Sequence, residues 1–337
     1  MKNYLNVQND YQEAELEKVA ASIKNGGLVL FPTETVYGIG TNGLDEVAIE
    51  KLYEVKKRDR KNPTNLLVDN LTMIEEITHD ISPLEYKLME AFFPGPFTII
   101  LKKRPIIPDV VTANSDLVGI RIPSDSIAKR LVELAGVPIA APSANISGRP
   151  SGTNLKDIIN EFSDHLDFVI DGGESKIGME STIVRVIDNV PHILRPGSIT
   201  PEQIKRVAGN VILEKNGNNI LPSSNMKHYQ LDTPSILVYS KDDQKMIDKI
   251  MALIKNYKKP IVLCCTENAK FYPSKNVITI ASKNNLEEYS RNLFSSLRKS
   301  SSFSPDVILI EGVKKEGLGI AIMNRLLNVS NDNYIEI

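Results

Sequence analysis

Two rhythms of apolar positions run along this chain. Over residues 11–25 apolar side chains recur at helical spacing, and the pair Gly26-Gly27 stops the pattern. Residues 28–31 form a short all-apolar run that predicts a buried strand, and Pro32 takes the chain out of the sheet or onto its edge. Residues 45–56 predict a helix capped by Asp45, with Val47, Ala48, Leu52 and Val55 along one face. Further helices are predicted over residues 83–92, 126–134, 154–161 and 201–207, and strands over 98–101, 118–122, 138–141, 168–170 and 182–187. That mixture predicts an α/β or α+β domain built on a mixed sheet.

Residues 214–234 break the pattern with a run of Asn, Ser, Gly and Pro, which predicts a long linker. It contains Met226, Lys227, His228 and Tyr229 together, a cluster that a mere spacer does not need. Beyond it, strands over 235–239, 261–265, 276–280 and 306–310 alternate with helices over 243–255, 285–298 and 319–327. Such alternation predicts a small parallel sheet of doubly wound type. No G-x-G-x-x-G follows its first strand, which argues against a dinucleotide site there. The expected organisation is a catalytic domain over 1–213, a linker over 214–234 and a small α/β domain over 235–337.

Composition narrows the class. The chain has 337 residues, more than one core usually serves. Forty Lys and Arg face 42 Asp and Glu, for a net charge of -2, which argues against a dedicated nucleic-acid binder. No apolar stretch reaches the ~18 residues that span a bilayer. Residues 1–20 are charged and lack the apolar core of a secretory signal. The adjacent Cys264 and Cys265 sit in an apolar run, so they read as buried strand residues rather than a disulfide framework, and the expected compartment is the cytosol.

Four segments carry candidate chemistry. In Phe31-Pro32-Thr33-Glu34-Thr35-Val36-Tyr37-Gly38, hydroxyls follow a strand and glycine allows close backbone approach. In residues 56–63, five of eight are basic, which suits a polyphosphate and equally suits a solvated helix end. Residues 140–153 open from a strand into small residues and hydroxyls that suit phosphate or ribose, without the ending of a Walker A loop. Ser181 and Thr182 follow a glycine-rich turn, and Arg195 precedes Pro196-Gly197. Arg121 is the one charge in the apolar run 118–122, either a structural ion pair or a ligand contact. The four His lack metal-ligand spacing, and no G-x-S-x-G elbow is present. Hydroxyls and guanidinium groups without an obvious base point to catalysis by positioning and charge stabilisation, as in nucleotidyl or phosphoryl transfer.

Taken in order, FPTETVYGIG, KKRDRKNP, PGPFTIILK, VGIRIPSD, APSANISGRPSGT, GMESTIV and LRPGSIT resemble the motifs of the YrdC-like family. The stretch from Glu316 to Leu326 resembles the close of its long form, the threonylcarbamoyl-AMP synthases with an extra C-terminal domain. The resemblance implies an α/β protein: a YrdC-like mixed twisted sheet with helices, then a smaller Rossmann-like parallel domain. It implies synthesis of threonylcarbamoyl-adenylate and pyrophosphate from L-threonine, bicarbonate and ATP, a nucleotidyl transfer with Mg²⁺ on the phosphates. The product would pass to a separate tRNA threonylcarbamoyl transferase system, direct tRNA binding being weak or absent.

By the same resemblance Lys56, Arg58 and Arg121 are the catalytic residues. Thr35, Leu67, Arg121, Ala141 and Ser181 line the L-threonine site. Lys56, Arg58, Asn62, Leu117, Ser143, Asn145, Ser151, Arg195, His228 and Tyr229 hold ATP, the last two from a linker that acts as a lid. No protein ligand to a metal is implied. The chain departs from the family at Asp59, Thr64 and Leu67, the last standing where a His is expected and unable to hydrogen-bond threonine. The linker departs too, reading Ser224-Asn225-Met226-Lys227-His228-Tyr229-Gln230-Leu231 and lacking the family's Ala-Pro. Two other readings compete. A carbamoyl-adenylate handler serving another transferase would carry extra modules such as zinc fingers. An RNA-binding module would keep the basic run and have no need of Thr35, Ser143 or Ser181.

Overall fold

A computed structural model of the chain describes residues 3–9, 11–162, 164–214 and 229–337. These form two compact units: residues 3–147, 152–176 and 180–214 in the first, and 148–151, 177–179 and 229–337 in the second. Most of the expected linker, residues 215–228, lies outside the described residues.

The first unit is built on one mixed sheet. Its strands are β1 (Tyr4–Asn6), β2 (Val29–Phe31), β3 (Gly38–Asn42), β4 (Leu66–Leu67), β5 (Thr78–His79) and β6 (Phe97–Lys103), followed by β7 (Leu117–Arg121), β8 (Ile139–Ala140), β9 (Phe168–Asp171), β10 (Thr182–Ile187), β11 (Val190–Arg195) and β12 (Ile212–Leu213). The order across the sheet is β1-β9-β2-β3-β8-β4-β7-β6-β10-β11-β12, with β5 beside β6. Successive side chains of a strand point to opposite faces. Leu28, Leu30 and Leu66 accordingly join one apolar cluster. Val29, Phe31 and Leu67 join another, together with Leu16, Ile23, Ile127 and Leu131. Each such side chain, fully buried, contributes about 1.5–3 kcal/mol.

Helices cover the sheet: α1 (Glu13–Lys24), α2 (Glu46–Lys56), α3 (Leu71–Ile77), α4 (Pro83–Phe92), α5 (Asp109–Thr112), α6 (Ser126–Ala135), α7 (Leu155–Phe162) and α8 (Pro201–Ala208). The expected cap holds: the Asp45 side chain accepts hydrogen bonds from the Val47 and Ala48 N–H groups at 3.0 and 3.1 Å. The helix stops at Lys56 because Lys57 turns left-handed, with φ +51°. Strands β3 and β4 escape the periodicity, one being glycine-rich and the other two residues long. Glycine is required in β3, since a Cβ at Gly40 would stand 2.6 Å from the Phe31 ring and 2.7 Å from Ile139.

The second unit has the expected doubly wound form. It runs β13 (Ser235–Tyr239), α9 (Asp243–Ile254), β14 (Pro260–Cys264), β15 (Val277–Thr279), α10 (Leu286–Ser302), β16 (Val307–Glu311), α11 (Leu318–Val329) and β17 (Tyr334–Glu336). All five strands are parallel, in the order β15-β14-β16-β13-β17. β17, only three residues long, has no counterpart in the pattern-based reading. Cys264 and Cys265 are buried and free, as the apolar run around them predicts.

Candidate functional site

The first unit gathers its polar chemistry where four neighbouring strands end together. β7 and β6 are antiparallel, β6 and β10 parallel, and β10 and β11 antiparallel. The end of β7, the starts of β6 and β10, and the end of β11 therefore share one edge of the sheet. These places hold Arg121, Thr98, Ser181-Thr182 and Arg195.

Arg121 is 7% exposed and ties two other segments to β7. Its NH1 donates to Thr35 Oγ1 at 2.9 Å, and its Nε to the Gly95 carbonyl at 3.2 Å. Its NH2 stands 2.7 Å from Glu34 Oε1, in an ion pair buried on both sides. The Ser124 N–H donates to the same carboxylate oxygen at 3.2 Å. Burial pushes the Glu34 carboxyl up, yet the Arg121 charge and these hydrogen bonds hold it below its ordinary range. The other carboxylate oxygen, Oε2, is buried with no hydrogen-bond partner among the described residues. Of the two sequence readings of Arg121, the structure shows the internal ion pair, set beside the Thr35 hydroxyl at the strand ends. Glu34 itself was missed as a site residue. Its signal was a carboxylate between two hydroxyl residues at the end of an apolar strand.

Ser181 lies in a second knot. Its Oγ is 2.7 Å from Thr98 Oγ1. Arg195 NH2 donates to the Ser181 carbonyl at 2.9 Å and to Ser181 Oγ at 3.2 Å, and its Nε reaches the same carbonyl at 3.2 Å. Arg195, expected among the ATP contacts, is thus tied directly to a residue expected at threonine. Thr98 is a further residue missed in the sequence, where a Thr in an apolar strand reads as core.

The basic run comes apart in three dimensions. Lys56 is 1% exposed, and its Nζ donates to the carbonyl oxygens of Ser143 and of Asn145, the latter at 2.6 Å. Burial and then the Arg58 charge push its ammonium well below the ordinary range, against the pull of Glu161. An ammonium has three donors, so one remains beyond these two carbonyls. Lys56 therefore pins the 143–145 loop to the end of α2. Ser143 Oγ completes the turn by donating to Asn145 Oδ1 at 2.6 Å. Arg58 is half-buried and donates to the carbonyls of Asn62 and Pro63 at 3.1 and 2.7 Å. Arg60 is exposed and pairs with Glu50 at 2.6 Å, while Lys57 and Lys61 are exposed. Of the five basic side chains in this run, Lys57, Arg60 and Lys61 thus face solvent, while Lys56 and Arg58 turn to backbone carbonyls.

The remaining expected residues fall as follows. Asn62 is buried, its carbonyl also taken by the Tyr53 hydroxyl at 3.1 Å. The Ala141 N–H donates to the Asn65 carbonyl at 3.3 Å, beside the Ser143 turn. Leu67 pairs in register with Arg121 and sends its side chain into the apolar core. Leu117 is not brought to the group: it starts β7, at the far end from Arg121, and packs near Ile100, Ile183 and Leu194. Ser151 is buried and belongs to the second unit, as does Tyr229, whose ring lies 5.2 Å from that of Phe294. His228 lies outside the described residues.

Comparison with known proteins places this geometry. Residues 21–197 match the family model described as telomere recombination, that of Sua5, YciO and YrdC. Residues 199–328 match the model described as threonylcarbamoyl-AMP synthase, C-terminal domain. The threonylcarbamoyl-AMP synthase of Pyrococcus abyssi is 36% identical over 339 residues, covering 99% of both chains. That of Bacillus subtilis is 33% identical over 333 residues, covering 96% of this chain and 95% of its own. The crystal structure of P. abyssi Sua5 complexed with L-threonine superposes with a TM-score of 0.91 at 35% identity, covering 99% of each chain.

Proposed function

The chain belongs to the long-form threonylcarbamoyl-AMP synthase family, and from that membership we propose that it joins L-threonine, bicarbonate and ATP into threonylcarbamoyl-adenylate. The reaction is a nucleotidyl transfer. The threonine amine attacks the carbon of CO₂ derived from bicarbonate, forming an N–C bond and losing a proton. A carbamate oxygen then attacks the α-phosphorus, and pyrophosphate leaves. Both steps gather negative charge, which fixed cations and hydroxyl donors stabilise without reorganising.

The observation that carries this reading is the buried Arg121 clamp, with Thr35 bonded to it and Ser181 at the same edge of the sheet. Thr35, Arg121 and Ser181 hold threonine, with Leu67 as an apolar neighbour of Arg121, and Ala141 contributes from beside the Ser143 turn. Lys56 positions the Ser143–Asn145 turn for ATP, and Arg58 and Asn62 shape the adjoining loop. Among the described residues no three His, Cys, Asp or Glu side chains gather as a metal site. Mg²⁺ would be carried by the ATP phosphates and would neutralise their charge, and no step is assigned to it. No helix among the described residues is long and apolar enough to cross a membrane. We place the enzyme in the cytoplasm, where its adenylate passes to a tRNA-modifying transferase.

The test is pyrophosphate release from ATP and bicarbonate, with and without threonine. Threonine-dependent release is expected. Release at the same rate when threonine is omitted would sink the proposal.

A further inference from the structure

The second unit has a cavity of its own, of about 550 Å³, within the range of small-molecule sites. It opens at the carboxyl ends of β13, β14 and β16. Val238 and Glu311 are paired in register, so Tyr239-Ser240 and Gly312-Val313 leave neighbouring strands side by side. Their connections then cross on opposite faces of the sheet. From β13 the chain passes across β16 toward β14, and from β16 it passes across β13 toward β17. Right-handed crossovers in opposite directions place their helices on opposite faces. α9 thus covers one face, while α11, packed against α10, covers the other. β14 runs on to its outer neighbour β15 while β16 passes the other way toward β17, so the connections of these two adjacent strands diverge, and open parallel sheets bind their ligands in the crevice between such strands.

The floor is held rigid from beneath. Glu311 is fully buried, accepting hydrogen bonds from the Cys265 N–H at 2.9 Å, Asn268 Nδ2 at 3.0 Å and the Tyr272 hydroxyl at 2.6 Å. Cys265 and Asn268, both fixed by it, line the cavity with Met246 and Val313. The β16–α11 loop presents backbone: a Cβ at Gly312 would stand 2.9 Å from Tyr239 Cβ, and Gly317 precedes α11 at φ +52° without a side-chain cap.

The rim carries four lysines (241, 283, 314 and 315) against three carboxylates (Asp243, Glu316 and Glu336). Each carboxylate already has a lysine: Asp243 with Lys283, Glu316 with Lys314 at 2.7 Å, and Glu336 with Lys315 at 3.0 Å. Lys315 also lies over the Tyr239 and Tyr334 rings at 5.3 and 4.9 Å. Lys241 bridges to no carboxylate among the described residues. Counted over its lining residues, the rim carries one more positive than negative charge, with Lys241 also acting on Glu336, and it holds three lysines oriented over a floor that is largely apolar. That combination suits a ligand with a flat apolar body and an anionic end.

We propose that this crevice binds a small phosphate-bearing ligand of mononucleotide size, through the Gly312–Gly317 loop and the lysine rim. The lack of a G-x-G-x-x-G fingerprint agrees with a mononucleotide rather than a dinucleotide.

Met246 lines the cavity and gives a local reporter. The full chain, labelled with [methyl-¹³C]methionine and assigned with Met246→Leu, is titrated with AMP and, separately, with adenosine. AMP is expected to shift the Met246 methyl resonance saturably, with half-saturation near ~1 mM or below, and adenosine to leave it in place. The double charge reversal Lys314→Glu/Lys315→Glu should raise the half-saturation about tenfold, while threonine-dependent pyrophosphate release persists and shows that the variant is folded. A Met246 resonance unmoved by ~10 mM AMP, one moved equally by adenosine, or a shift that survives the charge reversal would overturn the proposal. The readout is binding in the second unit, so it stands or falls apart from the activity of the first.

Discussion

Each unit buries a glutamate at the end of its sheet, and the two are compensated by different physics. Glu34, in the first unit, faces the Arg121 guanidinium at 2.7 Å and is held below its ordinary range. Glu311, in the second, meets only neutral donors. Burial raises its carboxyl pKa more than the Tyr272, Cys265 and Asn268 hydrogen bonds lower it, and Asp243 adds to the rise. A charge pair keeps both partners ionised and leaves surplus donors and acceptors for a ligand, which suits a reacting centre. A ring of neutral donors satisfies the group in place, which suits an anchor.

The sharpest way to break this comparison is Arg121→Ala. It leaves Glu34 buried without its counter-charge, and should cost about 3–5 kcal/mol by urea unfolding. Threonine-dependent pyrophosphate release should fall by about a hundredfold or more. Stability within error of the parent chain would show that the pair does not compensate as described. Arg195→Ala removes a charged donor from Ser181 and should lower activity about tenfold, with a smaller loss of stability. Unchanged kinetics would detach the Ser181 knot from the site.

Tyr272→Phe tests the other glutamate. It deletes one short bond to Glu311 and should cost about 1.5–3 kcal/mol, while pyrophosphate release at a temperature well below unfolding stays at the parent rate. A fall in that rate without a fall in stability would contradict the anchor role.

The subtlest difference is a pair of opposite pH dependences. Glu34 titrates in the fold below its unfolded value of about 4.3. Its contribution is present above that pH and is lost as pH falls through the folded value. Glu311 titrates above its unfolded value, so its contribution is full below about pH 4.3 and declines as pH rises through the folded value. Glu34→Gln should therefore cost more at pH 7 than at pH 3, and Glu311→Gln more at pH 4 than at pH 8. Unfolding midpoints at those four pH values decide it, and slopes of the same sign would break the comparison.

The alternating pattern after residue 234 made the parallel sheet of the second unit legible, because strands buried on both faces read as continuous apolar runs. In the first unit the long amphipathic helices and apolar strands were equally plain. Strands such as Leu66–Leu67 were not, since two residues carry no period. Within the site, Thr35, Ser181 and Arg121 stood out as polar residues at strand ends. Glu34 did not, because a lone carboxylate in a Thr-rich turn reads as solvated until its guanidinium partner is seen. Lys56 shows the converse. Five basic residues out of eight suggested one cluster, yet helix geometry turned Lys56 inward and left Lys57, Arg60 and Lys61 in solvent.

The sequence by itself determined which residue types were present, the two-part organisation and the family, because local periodicity and motif order are properties of the chain alone. Only the tertiary structure decided that Arg121 meets Glu34, that Arg195 serves Ser181, and that Lys56 holds a loop. It also decided that the β14 and β16 connections part to open a crevice. Those outcomes depend on strand order and register, which bring together residues about ninety positions apart. No window along the chain contains that information.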